Sequence, residues 1–254
     1  MTQRFPIITA HSGCMDMLDH TLLSVETGLR LGADVIEEDV RVTKDGVPVL
    51  AHDDEVRTVE GQEFRISQLT YAELSGLRLE VQHGEHRETT RICRLEDMLP
   101  LIRGARAIAN LDLKVDESIA PVAALVNKLG MHDKVFLSGC ERDRAMLAQQ
   151  TQPELRKLLN TDTSLFVSMA YSDAVLQTCQ DALDASCFGI NINYRLVRSE
   201  LMECAAEKGL PVYVWTVDDE ALMKHFAEMG VASITARNVL ALVRVKENWQ
   251  GGLS

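Results

Sequence analysis

Aromatic residues are scarce in this chain, at 5% of its 254 positions, and no apolar run comes near the roughly 18 residues needed to cross a bilayer. A membrane-spanning helix is therefore not expected. Positive charge is also short. The formal net charge is −12, and no cluster of Lys and Arg with interleaved aromatics offsets a field that repels phosphate backbones, which argues against nucleic acid as a partner. The six cysteines, Cys14, Cys93, Cys140, Cys179, Cys187 and Cys204, include no CxxC pair and no regular spacing, which excludes a disulfide framework or a zinc module. Reduced thiols are the better reading, and since the opening MTQRFPIITAHSG has no charged segment followed by an apolar one, a cytoplasmic protein is expected. No low-complexity linker divides the chain, so a single domain over residues 1–254 is expected.

What is present is a balance of 46% hydrophobic and 25% charged residues, enough apolar mass for a sizeable core. Short β-branched runs alternate with amphipathic stretches. Eight strand-like segments stand at 5–10, 34–40, 107–113, 134–139, 155–160, 187–193, 211–217 and 232–235, with helical periodicity between them. Eight strand-then-helix repeats predict a (β/α)₈ TIM barrel. An open doubly wound sheet is the runner-up, but no GxGxxG or GxxxxGK follows any strand. Residues 41–95 break the rhythm, with a turn at TKDG, a strand-like PVLAH and a polar run VQHGEHRETTR. An excursion after the second strand, forming an insertion or lid at about 53–95, is expected over the strand ends, where barrel enzymes build their sites.

The second strand, within GADVIEEDV, carries three consecutive acids. Side chains on a strand alternate, so Glu37 and Asp39 share one face and Glu38 takes the other, toward the helices, where a salt bridge or an N-cap would hold it. Two carboxylates turned into a barrel would repel and lose hydration unless a cation sat between them. In ANLDLKVD the same alternation puts Asp112 and Lys114 on one face of the third strand. Glu37, Asp39 and Asp112 thus make an all-oxygen donor set suited to Mg²⁺ or Ca²⁺, with Lys114 as a positive charge beside it. His11, after the first strand, and His52, after PVL, are placed to move protons near such a cluster. Cys14 is a candidate pocket-lining thiol. His20, His83, His86, His132 and His225 fall in helix or loop contexts suited to surface or capping groups.

From AHSG through GADVIEEDVRVTKDGVPVLAHDD, then ISQLTYAEL, RLEDML and NLDLK, with a weaker echo in GLPVYVWTVDD and GVASIT, the chain resembles the glycerophosphodiester phosphodiesterases. The resemblance extends over most of the chain. It implies a TIM barrel, a divalent cation and hydrolysis of a small-molecule phosphodiester bearing glycerol. It also implies that His11 and His52 are the catalytic pair, Glu37 and Asp39 metal ligands, and Lys114 the phosphate-contacting lysine. Asp112 stands where the family usually has Glu, and Trp215 matches an aromatic that walls the pocket.

The departures are as specific. The family's His-Arg-Gly is here His11, Ser12 and Gly13, so a guanidinium expected on the phosphate is missing and Ser12 takes its place as the substrate-side residue. Pro-Glu-Asn-Thr becomes Leu18, Asp19, His20 and Thr21, and the late Thr-Asp-x-Pro becomes Thr235, Ala236, Arg237 and Asn238. The preferred function is metal-dependent hydrolysis of glycerophosphodiesters to an alcohol and glycerol phosphate by histidine acid–base catalysis. Two alternatives stand beside it: an impaired barrel that binds phosphodiesters or phosphorylated metabolites, and a sugar-phosphate isomerase or aldolase with Lys114 as its only inward lysine. Which histidine is base, which metal binds, and whether water or a substrate hydroxyl attacks stay open at this level, as does oligomeric state.

Overall fold

A computed structural model describes residues 4–249, and its strands in chain order are β1 (Ile7–Ala10), β2 (Val35–Val42), β3 (Pro48–Leu50), β4 (Glu55–Thr58), β5 (Glu63–Arg65), β6 (Leu79–His83), β7 (His86–Thr90), β8 (Cys93–Arg94), β9 (Ile108–Leu113), β10 (Val135–Ser138), β11 (Leu159–Asn160), β12 (Ile190–Asn193), β13 (Val212–Trp215) and β14 (Ser233–Ala236). Eight of them lie parallel in the order β10-β9-β2-β1-β14-β13-β12-β11. The two ends of that order meet: Leu158 N–H donates to the Leu137 carbonyl, Leu137 N–H to that of Arg156, and Asn160 N–H to that of Cys140, each at 2.9 Å. The result is a TIM barrel. The segment expected as a strand at 155–160 pairs through this bridge and shortens to two ladder residues.

Helices pack outside the ring over a continuous apolar layer. The helix Ile119–Leu129, for example, buries Ile119, Val122, Ala123, Leu125 and Val126, the i, i+3, i+4, i+7 spacing of a one-sided apolar stripe, and ends where Gly130 turns to a positive φ of 62°. Inside the ring, Val35, Phe136 and Leu158 pack with Ile7, Ile108, Phe188 and Tyr213. Three of the few aromatics form a triangle there, with edge-on ring centroids 5.5 to 6.0 Å apart. The scarce rings plug the barrel floor, where each contributes a large buried area and favourable edge-to-face geometry.

The polar stretch 55–90 is an antiparallel sheet of its own, in the order β5-β4-β6-β7. Its short helix Tyr71–Ser75 starts on a capping box, in which Thr70 and Glu73 satisfy each other's backbone N–H groups. A small cluster of Val49, Ala51, Ile66 and Leu74 fastens it to the barrel side. The antiparallel pairing of β3 with β2 and of β8 with β3 carries the chain out and back. His83 of β6 comes within 3.4 Å of Asp16, in the loop after β1. No helix among the described residues is long and apolar enough to cross a membrane.

Candidate active site

The register of β2 against β9 builds the acid cluster. Asp39 lies opposite Asp112 and Glu37 opposite Asn110, so three carboxylates on one face of two adjacent strands have oxygens within 4.8 Å of one another. Glu37 shares its face with Val35 of the barrel floor, which makes that face the interior one. The cluster lies in a cleft of about 1090 Å³ at the ends of the parallel strands, whose walls include His11, His20, His52, Lys114, Trp215 and Arg237. Gly139 is required beside it. Its φ is +67°, and a Cβ there would come within 2.5 Å of the Asp112 carboxylate and of the Leu113 carbonyl.

Packed acids share protons and cations. Burial first, then the charges of Asp39 and Asp112, push the Glu37 carboxyl well above its usual value. Lys114 Nζ lies 2.7 Å from Asp39 and 2.8 Å from Asp112. Burial alone would lower the lysine, but the two aspartates outweigh it and raise its pKa. His11 is held by its Nδ1–H on the Ser12 carbonyl at 2.7 Å, which leaves Nε2 as the lone-pair nitrogen. Burial, reinforced by the Arg237 charge, lowers its pKa, so the imidazole is neutral at pH 7. His52 is 62% exposed at its side chain and donates from Nδ1 to Asp53 at 2.8 Å. Three further polar atoms of cleft-lining residues are buried without hydrogen-bond partners among the described residues, Asn110 Oδ1, Thr178 Oγ1 and Trp215 Nε1.

The outward face of β2 corrects two expectations. Ser12 is not a wall of the cleft: it is only 1% exposed, and its hydroxyl donates to Glu38 Oε2 at 2.9 Å while accepting the His20 N–H at 2.8 Å. Cys14 is likewise buried away from the cleft, its Sγ 3.6 Å from the Ser24 carbonyl. Glu38, with 0% exposure, turns from the barrel axis as alternation required and meets Ser12 and His20. His20 is the residue that sequence reasoning missed. Its Nδ1 lies 3.0 Å from Glu38 and its Nε2 3.6 Å from Asp39, so it links the buried acid to the cluster. Burial presses its pKa down, but Glu38 and Asp39 carry it above the usual histidine value. The only sequence signal was its place in the altered Leu-Asp-His-Thr.

These features fall within a recognisable class, a phosphoric diester hydrolase on a TIM barrel. The model of the glycerophosphoryl diester phosphodiesterase family matches residues 10–239, and the chain belongs to that family. Over 244 residues it is 25% identical to a glycerophosphodiester phosphodiesterase of Caldanaerobacter subterraneus subsp. tengcongensis, covering 94% of this chain and 97% of that one. The crystal structure of glycerophosphodiester phosphodiesterase from Agrobacterium tumefaciens str. C58 superposes with a TM-score of 0.75 at 25% identity, covering 97% of this chain and all of that one. An Oleispira antarctica phosphodiesterase, solved in complex with the product sn-glycerol-3-phosphate, gives a TM-score of 0.78 at 21% identity, with coverage of 96% and 97%.

Proposed function

We propose that this chain hydrolyses small glycerophosphodiesters to an alcohol and glycerol phosphate, using a divalent cation, Mg²⁺ or Ca²⁺, and His11 and His52 as the acid–base pair. The observation that carries the reading is the gathering of Glu37, Asp39 and Asp112 in one cleft with His11 and Lys114. The donor set fits a hard cation: it is all oxygen, it is largely buried, and burial together with the charges of Asp39 and Asp112 raises the Glu37 pKa, a penalty that such a cation would relieve. When bound there, the ion neutralises phosphate oxygens and aligns the diester.

The protein groups divide the remaining work. Neutral His11, its Nδ1 fixed on the Ser12 carbonyl, offers Nε2 to take the proton of the attacking hydroxyl or water. His52, held by Asp53 and open to solvent, returns a proton to the leaving alcohol. Lys114 stays charged at neutral pH and stabilises negative charge developing on the phosphate. Trp215 walls the cleft. The chain acts as one domain, with the sheet at 55–90 as a lid whose His83 already reaches Asp16 at the barrel mouth. Six free thiols suit a cytoplasmic setting.

Turnover of a glycerophosphodiester panel with and without chelator, in the wild type, His11→Ala and His52→Ala, tests this reading. Chelation and either substitution should each abolish most of the activity. Activity that survives chelation, or that both substitutions spare, would overturn it. Ser12 in place of arginine favours a second reading, a barrel that binds phosphodiesters without cleaving them. Saturable binding with no turnover under any divalent ion would select that one.

A further inference from the structure

The cleft has a charge problem. Lys114 is shared with Asp39 and Asp112, at 2.7 and 2.8 Å, and residue 12 brings no guanidinium, so nothing named so far offers the phosphate a bidentate cationic partner. Other cations of the cleft are committed elsewhere. Arg144 is engaged by Asp116 and by the carbonyls of Leu113, Gly139 and Lys114. Arg142 pairs with Asp181 and Asp143.

Arg237 differs from both. It follows β14, the barrel neighbour of β1, and its main chain is fixed on three sides: Asp218 accepts the N–H groups of Arg237 and Asn238 at 2.7 and 2.9 Å, and the Arg237 carbonyl accepts the Met15 N–H at 2.9 Å. From this anchor the guanidinium lies over Gly13, where a Cβ would stand 2.6 Å from Nη1 and also collide with the Asp19 carboxylate. Glycine at 13, with φ +70°, is what admits the approach. Nη1 donates to Asp19 at 2.8 Å, while no hydrogen bond among the described residues engages Nε or Nη2. The group is 43% exposed at the side chain, lines the cleft, and lies close enough to His11 for its charge to bear on that imidazole.

Building on the proposed hydrolysis, we infer that Arg237 is the phosphate-binding guanidinium of this site, reached from the last barrel strand instead of from position 12. Asp19 accepts from Nη1 alone, which leaves the other edge of the fork open to the cleft. A guanidinium offers two parallel donors to a phosphate, which a lysine does not.

Calorimetric titration of sn-glycerol 3-phosphate into protein preloaded with divalent ion, beside a titration of the ion alone, tests the assignment. Arg237→Gln should weaken glycerol phosphate binding about tenfold to a hundredfold and leave the affinity for the ion unchanged. Arg237→Lys should fall between Gln and wild type and carries the test if the Gln variant does not fold. Asp19→Asn should change affinity by no more than about threefold, because it removes an exposed ion pair but not the phosphate partner. Binding within twofold of wild type in folded Arg237→Gln would overturn the assignment. So would an equal loss in Asp19→Asn, which would mean that the pair is only a structural clasp. Wild-type binding without turnover would sink the hydrolysis and leave Arg237 standing, whereas no wild-type binding at all would sink both.

Discussion

The floor and the mouth of the barrel are made from the same strands, two or four residues apart, and they follow opposite rules. At the floor, Val35, Ile108 and Phe136 fill the axis with apolar volume. At the mouth, Asp39, Asp112 and Ser138, on the same faces of the same three strands, put charge and hydrogen-bonding groups there instead, with Ser138 Oγ donating to Asp112 at 3.1 Å. A parallel barrel can thus separate stability from chemistry along a single strand, with packing below and unsatisfied polarity above. That separation is costly at the mouth, where burial and the neighbouring aspartates push the Glu37 carboxyl well above its usual value.

The contrast can be broken most decisively by a pair of substitutions. His11→Ala should lower kcat by roughly 10²–10⁴-fold, with only a small loss of stability. Phe136→Ala should do the reverse, costing about 3–5 kcal/mol of unfolding free energy because it opens a cavity in the aromatic triangle. Denaturant melts beside steady-state rates would decide. If His11→Ala unfolds the protein, or Phe136→Ala abolishes kcat in protein that remains folded, floor and mouth are not separable.

Next in size is the response of the mouth to a cation. Mg²⁺ or Ca²⁺ at about a hundred times its Kd should stabilise the native state by about 2.7 kcal/mol, a rise in Tm of roughly 5–10 °C. Asp39→Asn should remove most of that rise. A melting temperature indifferent to both ions would contradict the ligand set.

A smaller effect is the pH dependence of the metal-free protein. Glu37 and Glu38 have folded pKa values raised above 4.5, chiefly by burial, so the native state binds more protons than the unfolded one as pH falls from neutrality toward about 4.5. His20, raised above 6.5 by Glu38 and Asp39, contributes stability that is complete below 6.5 and lost as pH rises through its folded value. His11, lowered below 6.5 chiefly by burial, works the other way once pH falls below that value, so Tm should rise most clearly on acidification from pH 8 toward 6.5, and the gain should shrink in Glu37→Gln. An unchanged slope in that variant would acquit Glu37.

The mildest perturbation probes the wall rather than the axis. Cys140 and Cys179, pushed up to about 12 by burial, and Cys187, pushed up to about 11, should resist iodoacetamide at pH 8 in native protein. Mass spectrometry showing rapid labelling of these thiols would reveal a looser helix layer than the packing implies.

Much of this arrangement is legible in the chain because period-two alternation is a strong constraint. It separates Glu37 and Asp39 from Glu38, and places Asp112 and Lys114 together, before any contact is known. It fails where geometry depends on a loop's path. Ser12 looks like a substrate contact from its position beside His11, yet the turn sends its hydroxyl behind the strand to Glu38. His20 looks like a capping group, because nothing in Leu-Asp-His-Thr tells that the loop folds back over β2. Arg237 is more than two hundred residues from Asp19, and only the β1–β14 pairing brings them together. The sheet at 55–90 was obscured for another reason: its strands β5 and β7 bury little, so their residues carry no apolar alternation.

Pairing of β1 with β14 makes the first and last strands neighbours. A chain emerging from the ribosome therefore carries His11, Glu37 and Asp39 long before it has the wall against which they operate. Until the segment around residue 235 is free to dock, the barrel has a gap beside its first strand, and Gly13 has no guanidinium above it. The guanidinium side of phosphate recognition thus arrives late in synthesis, and two fragments cut within the chain would acquire it only by reassociating across that seam.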